Sequence, residues 1–173
     1  MMATLPATKL LLPTQNEIDW LLSQDVSTFA LVRPMAIMVA VGDLGQDGHF
    51  EVADPRARWL AFEQERDLVL WQPRRRLLVS ECRRAFALGE DIVDNPGTYA
   101  FDCNLNIFAD PLDWLRANRD GIVIIDWRRA FDRLRDVPRV AIAEALLPTY
   151  RREMRPGRMP ELLVIPELRR SAA

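Results

Sequence analysis

The sequence predicts an α+β fold, a mixed sheet with an N-terminal hairpin-rich part and a C-terminal helix-strand-helix-helix unit packed on it. Asp110-Pro111 opens a helix, Gly121 releases the chain into the apolar run Ile122–Ile125, and Asp126 starts another helix. Upstream, short apolar runs alternate with connections rich in glycine, proline and arginine, the pattern of hairpins. At 173 residues the chain fits one domain. We expect residues 1–13 as an extended arm, 14–109 as a mixed lobe and 110–173 as a helix-strand-helix lobe.

In chain order, Thr14-Gln15-Asn16-Glu17 is a capping box, and Ile18, Leu21 and Leu22 give the following helix an apolar face. Met35–Val41 is a continuous apolar run suited to a strand covered on both faces. Gly42–Gly48 holds three glycines in seven residues and connects that run to an extended His49–Val52 as a hairpin. Residues 56–66 fit helical spacing through Trp59 and Phe62 and alternation through Leu60 and Phe62; the expectation is a helix or an irregular turn. Leu68–Trp71 and Leu77–Val79 flank Gln72–Arg76 as a second hairpin with its arginines in water. A helix is expected over Glu81–Glu90, a turn at Asp94–Gly97 and an extended segment over Tyr99–Phe108.

Past Asp126, the residues Trp127, Ala130, Phe131 and Leu134 make one helical stripe. From Pro138 to Arg155 a longer helix is expected, carrying Val140, Ala143, Leu147, Tyr150 and Met154 and kinked at Pro148. Leu162–Ile165, bracketed by prolines, reads as a final edge strand.

Apolar residues are 49% and charged residues 28% of the chain, the balance of a soluble globular protein. No apolar run approaches the roughly 18–20 residues that span a bilayer, and no secretory core is evident, so the expected location is cytoplasmic, with no membrane partner. Lys9 is the only lysine; every other basic residue is arginine, a bias that fits a GC-rich bacterial or phage source and lowers the weight of any arginine cluster. The C-terminal third is net basic although the whole chain carries a formal charge of −2.

The candidate chemistry is sparse. Asp126 follows an apolar strand, where α/β folds place catalytic or metal-binding carboxylates, and the run resembles a Walker B strand. The phosphate loop G-x-x-x-x-G-K-[ST] is missing, so a P-loop nucleotide triphosphatase is excluded and a helix cap is the favoured role. Asp43, Asp47 and Asp54 fall at positions 1, 5 and 12 of a calcium-loop pattern, but position 3 is glycine, position 12 is not glutamate, and the flanks read as strands. A single histidine, His49, excludes a multi-histidine metal site within one chain. Cys82 and Cys103 lack ligand spacing and read as reduced structural thiols. No serine lies in G-x-S-x-G. Neither a metal nor a cofactor is expected.

Arg74, Arg75, Arg76, Arg128, Arg129, Arg151 and Arg152 are the candidate binding residues, a phosphate-binding surface if the fold joins them. Five tryptophans and abundant arginine supply the residue types of interface hot spots. The functional expectation is therefore a non-catalytic intracellular adaptor or regulatory module that binds a protein partner, or a second copy of itself, through the apolar and arginine-rich helix over 138–155. The alternative is a metal-dependent enzyme or binder acting on nucleic acid or nucleotides, with Asp126 and other carboxylates such as Asp102 or Asp110 around the ion.

Overall fold

The structure, a computed structural model, describes residues 8–52 and 57–155. α1 (Gln15–Ser23) starts on the expected capping box: the Thr14 amide donates to the Glu17 carboxylate at 2.7 Å and the Glu17 amide donates to the Thr14 hydroxyl at 3.4 Å. That carboxylate also accepts Nε and Nη2 of Arg58 at 2.7 and 2.9 Å, fastening the helix to the sheet. α2 (Thr28–Val32), capped by the Ser27 hydroxyl, has no counterpart among the sequence expectations; at five residues it is too short for periodicity to reveal.

Five antiparallel strands follow, ordered β2-β1-β3-β4-β5: β1 (Met38–Leu44), β2 (Phe50–Val52), β3 (Arg58–Glu63), β4 (Leu68–Gln72) and β5 (Leu77–Ser80). Both expected hairpins form. The segment 56–66, expected as helix or turn, instead supplies the central strand β3. Its Leu60 and Phe62 join Val39, Val69 and Trp71 on the face covered by α1 and α2, whereas Trp59 and Ala61 join Ala40, Leu68 and Leu70 on the other. Burial on both faces removes the polar alternation by which a half-exposed strand is recognised.

The second layer is built differently. β6 (Ala87–Leu88) pairs antiparallel with β8 (Val123–Ile124), and β7 (Leu105–Ile107) pairs parallel with β9 (Val140–Ile142). A parallel bridge between Ile107 and Ile122 joins the two pairs in the order β6-β8-β7-β9. α3 (Pro111–Arg116) connects β7 to β8, and α4 (Ala130–Leu134) connects β8 to β9. α3 packs Trp114 and Leu115 against the large sheet and Val123, while α4 packs Ala130 and Leu134 on Ile122 and Ile124, so the two helices cover opposite faces. Gly121 makes this entry possible: its φ is +143°, and a Cβ there would come within 2.5 Å of the Asn106 carbonyl.

One expected helix is absent and another forms only in the last part of its expected range. Over Glu81–Glu90 the chain makes a turn, enters β6 and then forms a 3-10 turn at Glu90–Ile92. The reason is Asp67. Its buried carboxylate accepts the amides of Cys82, Arg84 and Ala85 at 2.9, 2.7 and 3.0 Å, together with the Ser80 hydroxyl, and so wraps the chain in a turn whose Arg83, at a φ of 55°, is not helical. The helix expected over Pro138–Arg155 is β9, a 3-10 turn at Glu144–Leu146, and α5 (Leu147–Glu153), which restarts at Pro148. Val140, Ile142, Leu146, Tyr150 and Met154 pack onto the second core, so this apolar arc serves the fold. The Tyr99–Phe108 segment is extended only at β7, after a 3-10 stretch at Pro96–Asp102. The strand expected at 162–165 lies outside the described residues. Among the described residues no helix is long and apolar enough to cross a membrane.

Burial alone would raise the Asp67 carboxyl, but the Ser80 hydroxyl and the amides of Cys82, Ala85 and Arg84 outweigh it and hold the group below its ordinary range. A depressed carboxylate stabilises the fold fully above its unfolded pKa of about 3.9, and that contribution is lost as the pH falls through the lower folded value. Asp67→Ala, which orphans several buried donors, is expected to cost at least about 2 kcal/mol. Thermal unfolding should show this as a drop of at least roughly 4–8 °C at neutral pH. Asp67→Asn should lose less and flatten the stability curve below about pH 4.

Candidate functional site

The parallel segments β7, Ile122–Ile124 and β9 run in one direction, so their carboxyl ends lie along one edge of the small sheet. Asp110 and Asp126 share that edge, with Glu144 after β9. Asp102 precedes β7 at the opposite edge and pairs with Arg139 at 2.7 Å. The topology therefore separates Asp102 from Asp126. Asp110 and Asp126 each have a local duty: Asp110 accepts the Leu112 amide at 2.7 Å as the cap of α3. Asp126 accepts the Arg128 amide at 3.2 Å, capping the turn Trp127–Arg129, and takes Nε and Nη2 of Arg128 at 2.9 and 3.2 Å. The Arg128 guanidinium holds the Asp126 carboxyl below its ordinary range. Asp126 is the cap that its sequence position favours.

Asp43 and Asp47 belong to the β1–β2 hairpin. Asp43 pairs with Arg75 at 2.5 Å, Asp47 accepts the His49 amide at 2.9 Å, and Asp54 lies outside the described residues. Among the described residues, no group of three or more His, Cys, Asp or Glu side chains could hold a metal ion. Cys82 and Cys103, read from the sequence as structural thiols, are exposed. Burial of part of the Cys82 group, with Asp67 and Glu81 nearby, pushes its thiol up and away from the thiolate.

The arginine clusters divide. Arg74, Arg75 and Arg76 sit on the β4–β5 connection of the large sheet. Arg128 and Arg129 begin the turn on which α5 packs, so Arg151 and Arg152 lie on a neighbouring element. Much of this charge is committed: Arg128 to Asp126, Arg129 to the Arg84 carbonyl at 2.8 Å, Arg152 to Glu153 at 2.7 Å and Arg75 to Asp43.

Two features carry geometry that no sequence motif announced. The first is a cleft of about 350 Å³ between the carboxyl ends of β7 and β9, lined by Asn106, Ile107, Phe108, Asp113, Ala141 and Ala143. The chain leaves β7 toward β8 on one side and returns to β9 on the other, so the cleft is a topological switch point.

The second is the surface formed by α2 and the turn after it. Ala30 faces the core, which leaves Phe29 and Val32 outward at 55% and 58% exposure, and Met35 follows at 49%. The Arg33 guanidinium lies 5.9 Å from the centre of the Phe29 ring. Behind Met35 is Arg119, only 9% exposed, whose Nη1 donates to the Met35 carbonyl at 2.8 Å. Its guanidinium lies 5.6 Å from both the Phe62 and Trp114 ring centres. Left-handed Asn118 and Arg119, with φ of 55° and 64°, end α3 and aim this side chain back toward α2. Neither Arg33 nor Arg119 forms an ion pair among the described residues. Sequence reasoning missed both features, because each joins segments far apart in the chain.

If Asp126 is a cap, Asp126→Ala should lower stability by about 1 kcal/mol, read in calorimetry as roughly 2–4 °C. Asp126→Asn, which still caps, should stay close to the parent.

Comparison of the chain with family profiles, with curated proteins and with solved structures gives no match.

Proposed function

We propose that the chain is a macromolecule-binding module that docks a partner protein on α2 and the turn following it. The observation that carries this reading is the group Phe29, Val32 and Met35, three large apolar side chains about half in water at three-residue spacing. Their exposure gives up stabilisation of about 25 cal/mol per Å² that a covering partner would supply. Arg33 and Arg119 beside them supply positive charge without a carboxylate, so an apolar segment with an acidic residue is the complementary partner. The surface lies on α2, away from the 138–155 segment.

Selection of random dodecapeptides against the purified chain should enrich apolar sequences that contain Asp or Glu. Phe29→Asp and Val32→Asp should each weaken these peptides at least about tenfold, in keeping with hot-spot truncations. Peptides that bind both variants as well as the parent, or no enrichment at all, would sink the proposal. Concentration-dependent dimerisation in light scattering, abolished by Phe29→Asp, would name a second copy as the occupant instead.

A second reading is favoured by the switch-point cleft, whose apolar walls and two polar side chains, Asn106 and Asp113, suit a small neutral ligand with hydrogen-bond donors. Thermal-shift titration with a panel of nucleosides and other neutral hydrogen-bond donors tests it. A shift lost in Asp113→Ala supports the reading, and a flat panel removes it.

A further inference from the structure

We infer that Arg119 is the receptor for the acidic side chain of the partner segment, which it takes on the edge of its guanidinium formed by Nε and Nη2. The inference rests on the docking reading above and specifies its chemistry. Within the structure Nη1 of Arg119 is used on the Met35 carbonyl, whereas Nε and Nη2 are buried and have no hydrogen-bond acceptor. Those two atoms form the side-on fork that matches a carboxylate. The same chain uses this fork twice elsewhere, Arg58 on Glu17 and Arg128 on Asp126, each with Nε and Nη2 on the two oxygens of one carboxylate. Arg119 presents the same fork with no carboxylate on it.

The cation lies beside the Phe62–Trp114 pair, 5.6 Å from each ring centre, and is shielded from water. A charge held this dry gains far more from a carboxylate than a surface arginine does. Burial accordingly lowers the Arg119 pKa to about 10, leaving it charged at neutral pH. Residues Val32–Ala36 are exposed along their length. Beyond the bonds within α2, Arg33 N to the Phe29 carbonyl and Arg119 on the Met35 carbonyl tie this stretch to the body. Because Nε and Nη2 are buried, a segment that covers Phe29 and Val32 reaches the fork only when the exposed Val32–Ala36 stretch shifts to uncover it. The apolar rim favours an acidic residue of a protein over a nucleic-acid phosphate, which would set a strongly hydrated backbone against Phe29, Val32 and Met35.

The test uses the full chain and dodecapeptides from the selection above, each with one central glutamate, compared with the same peptides carrying glutamine. Calorimetric titration should give at least about tenfold tighter binding for glutamate, as expected of a charged pair made in a dry site. Arg119→Met should erase that preference, and Arg119→Lys, which has no fork, should erase most of it. Without peptide, Arg119→Met should melt no lower than the parent, since it removes two orphaned donors. Equal affinities for the two peptides on the parent chain would overturn the inference without any variant. So would a glutamate preference that survives Arg119→Met, or displacement of the peptide by inorganic phosphate or a short single-stranded DNA. If the peptides bind equally but still depend on Phe29, Arg119 alone fails; if binding ignores Phe29→Asp, the docking reading fails with it.

Discussion

The carboxylate of Asp67 is the joint on which the two sheets turn. It stands at the entry to β4, takes the hydroxyl that ends β5, and gathers the amides of Cys82, Arg84 and Ala85 as the chain leaves for β6. One buried anion therefore fixes the exit of the large sheet and the entry of the small one. An ionised group this deep is tolerated because its oxygens are saturated with donors. The turn that wraps around it, with Arg83 at a φ of 55°, replaces the helix expected over 81–90.

Around that joint the chain builds three cores from two sheets. The large sheet is buried on both faces, and α3 rests in the space it shares with the small sheet. The small sheet is wound on both sides, α3 against one face and α4 and α5 against the other, and this winding opens the β7–β9 cleft. Arginine is the common fastener. Arg58 ties α1 to β3, Arg116 reaches the Gln24 carbonyl at 2.8 Å, Arg129 reaches Arg84, and Arg139 bridges Tyr99 and Asp102. A high arginine content thus accounts for long-range stitching before any surface recognition is invoked.

Against that background Arg119 and α2 stand apart. Most of the other arginines that touch the body of the protein end on a carboxylate or carbonyl that uses their donors; Arg119 is buried with two donors unmatched, beside the apolar side chains that α2 leaves in water. A cation without its anion and an apolar face without its cover, on adjoining elements, describe one surface. Phe101, fully exposed on a left-handed turn, differs: the arginine beside it, Arg139, is already paired with Asp102.

Legible in the sequence alone were features decided within a few residues: the capping box at Thr14, the Asp110-Pro111 helix start, the need for Gly121, the two hairpins and the capping duty of Asp126. Each depends on bonds between near neighbours, so residue identity and spacing suffice. The α+β class was legible too, because it follows from the alternation of such local units. Only the tertiary structure decided that residues 56–66 are a central strand, that 81–90 is not a helix, that 138–155 begins as a strand and is α-helical only from Leu147, and that Asp102 and Asp126 lie at opposite edges. It alone brought Arg119 behind Met35. The physical reason is that each depends on a distant partner: burial on two faces erases periodicity, a distant carboxylate holds 82–85 in a non-helical turn, and pairing with β7 draws Val140–Ile142 into a strand.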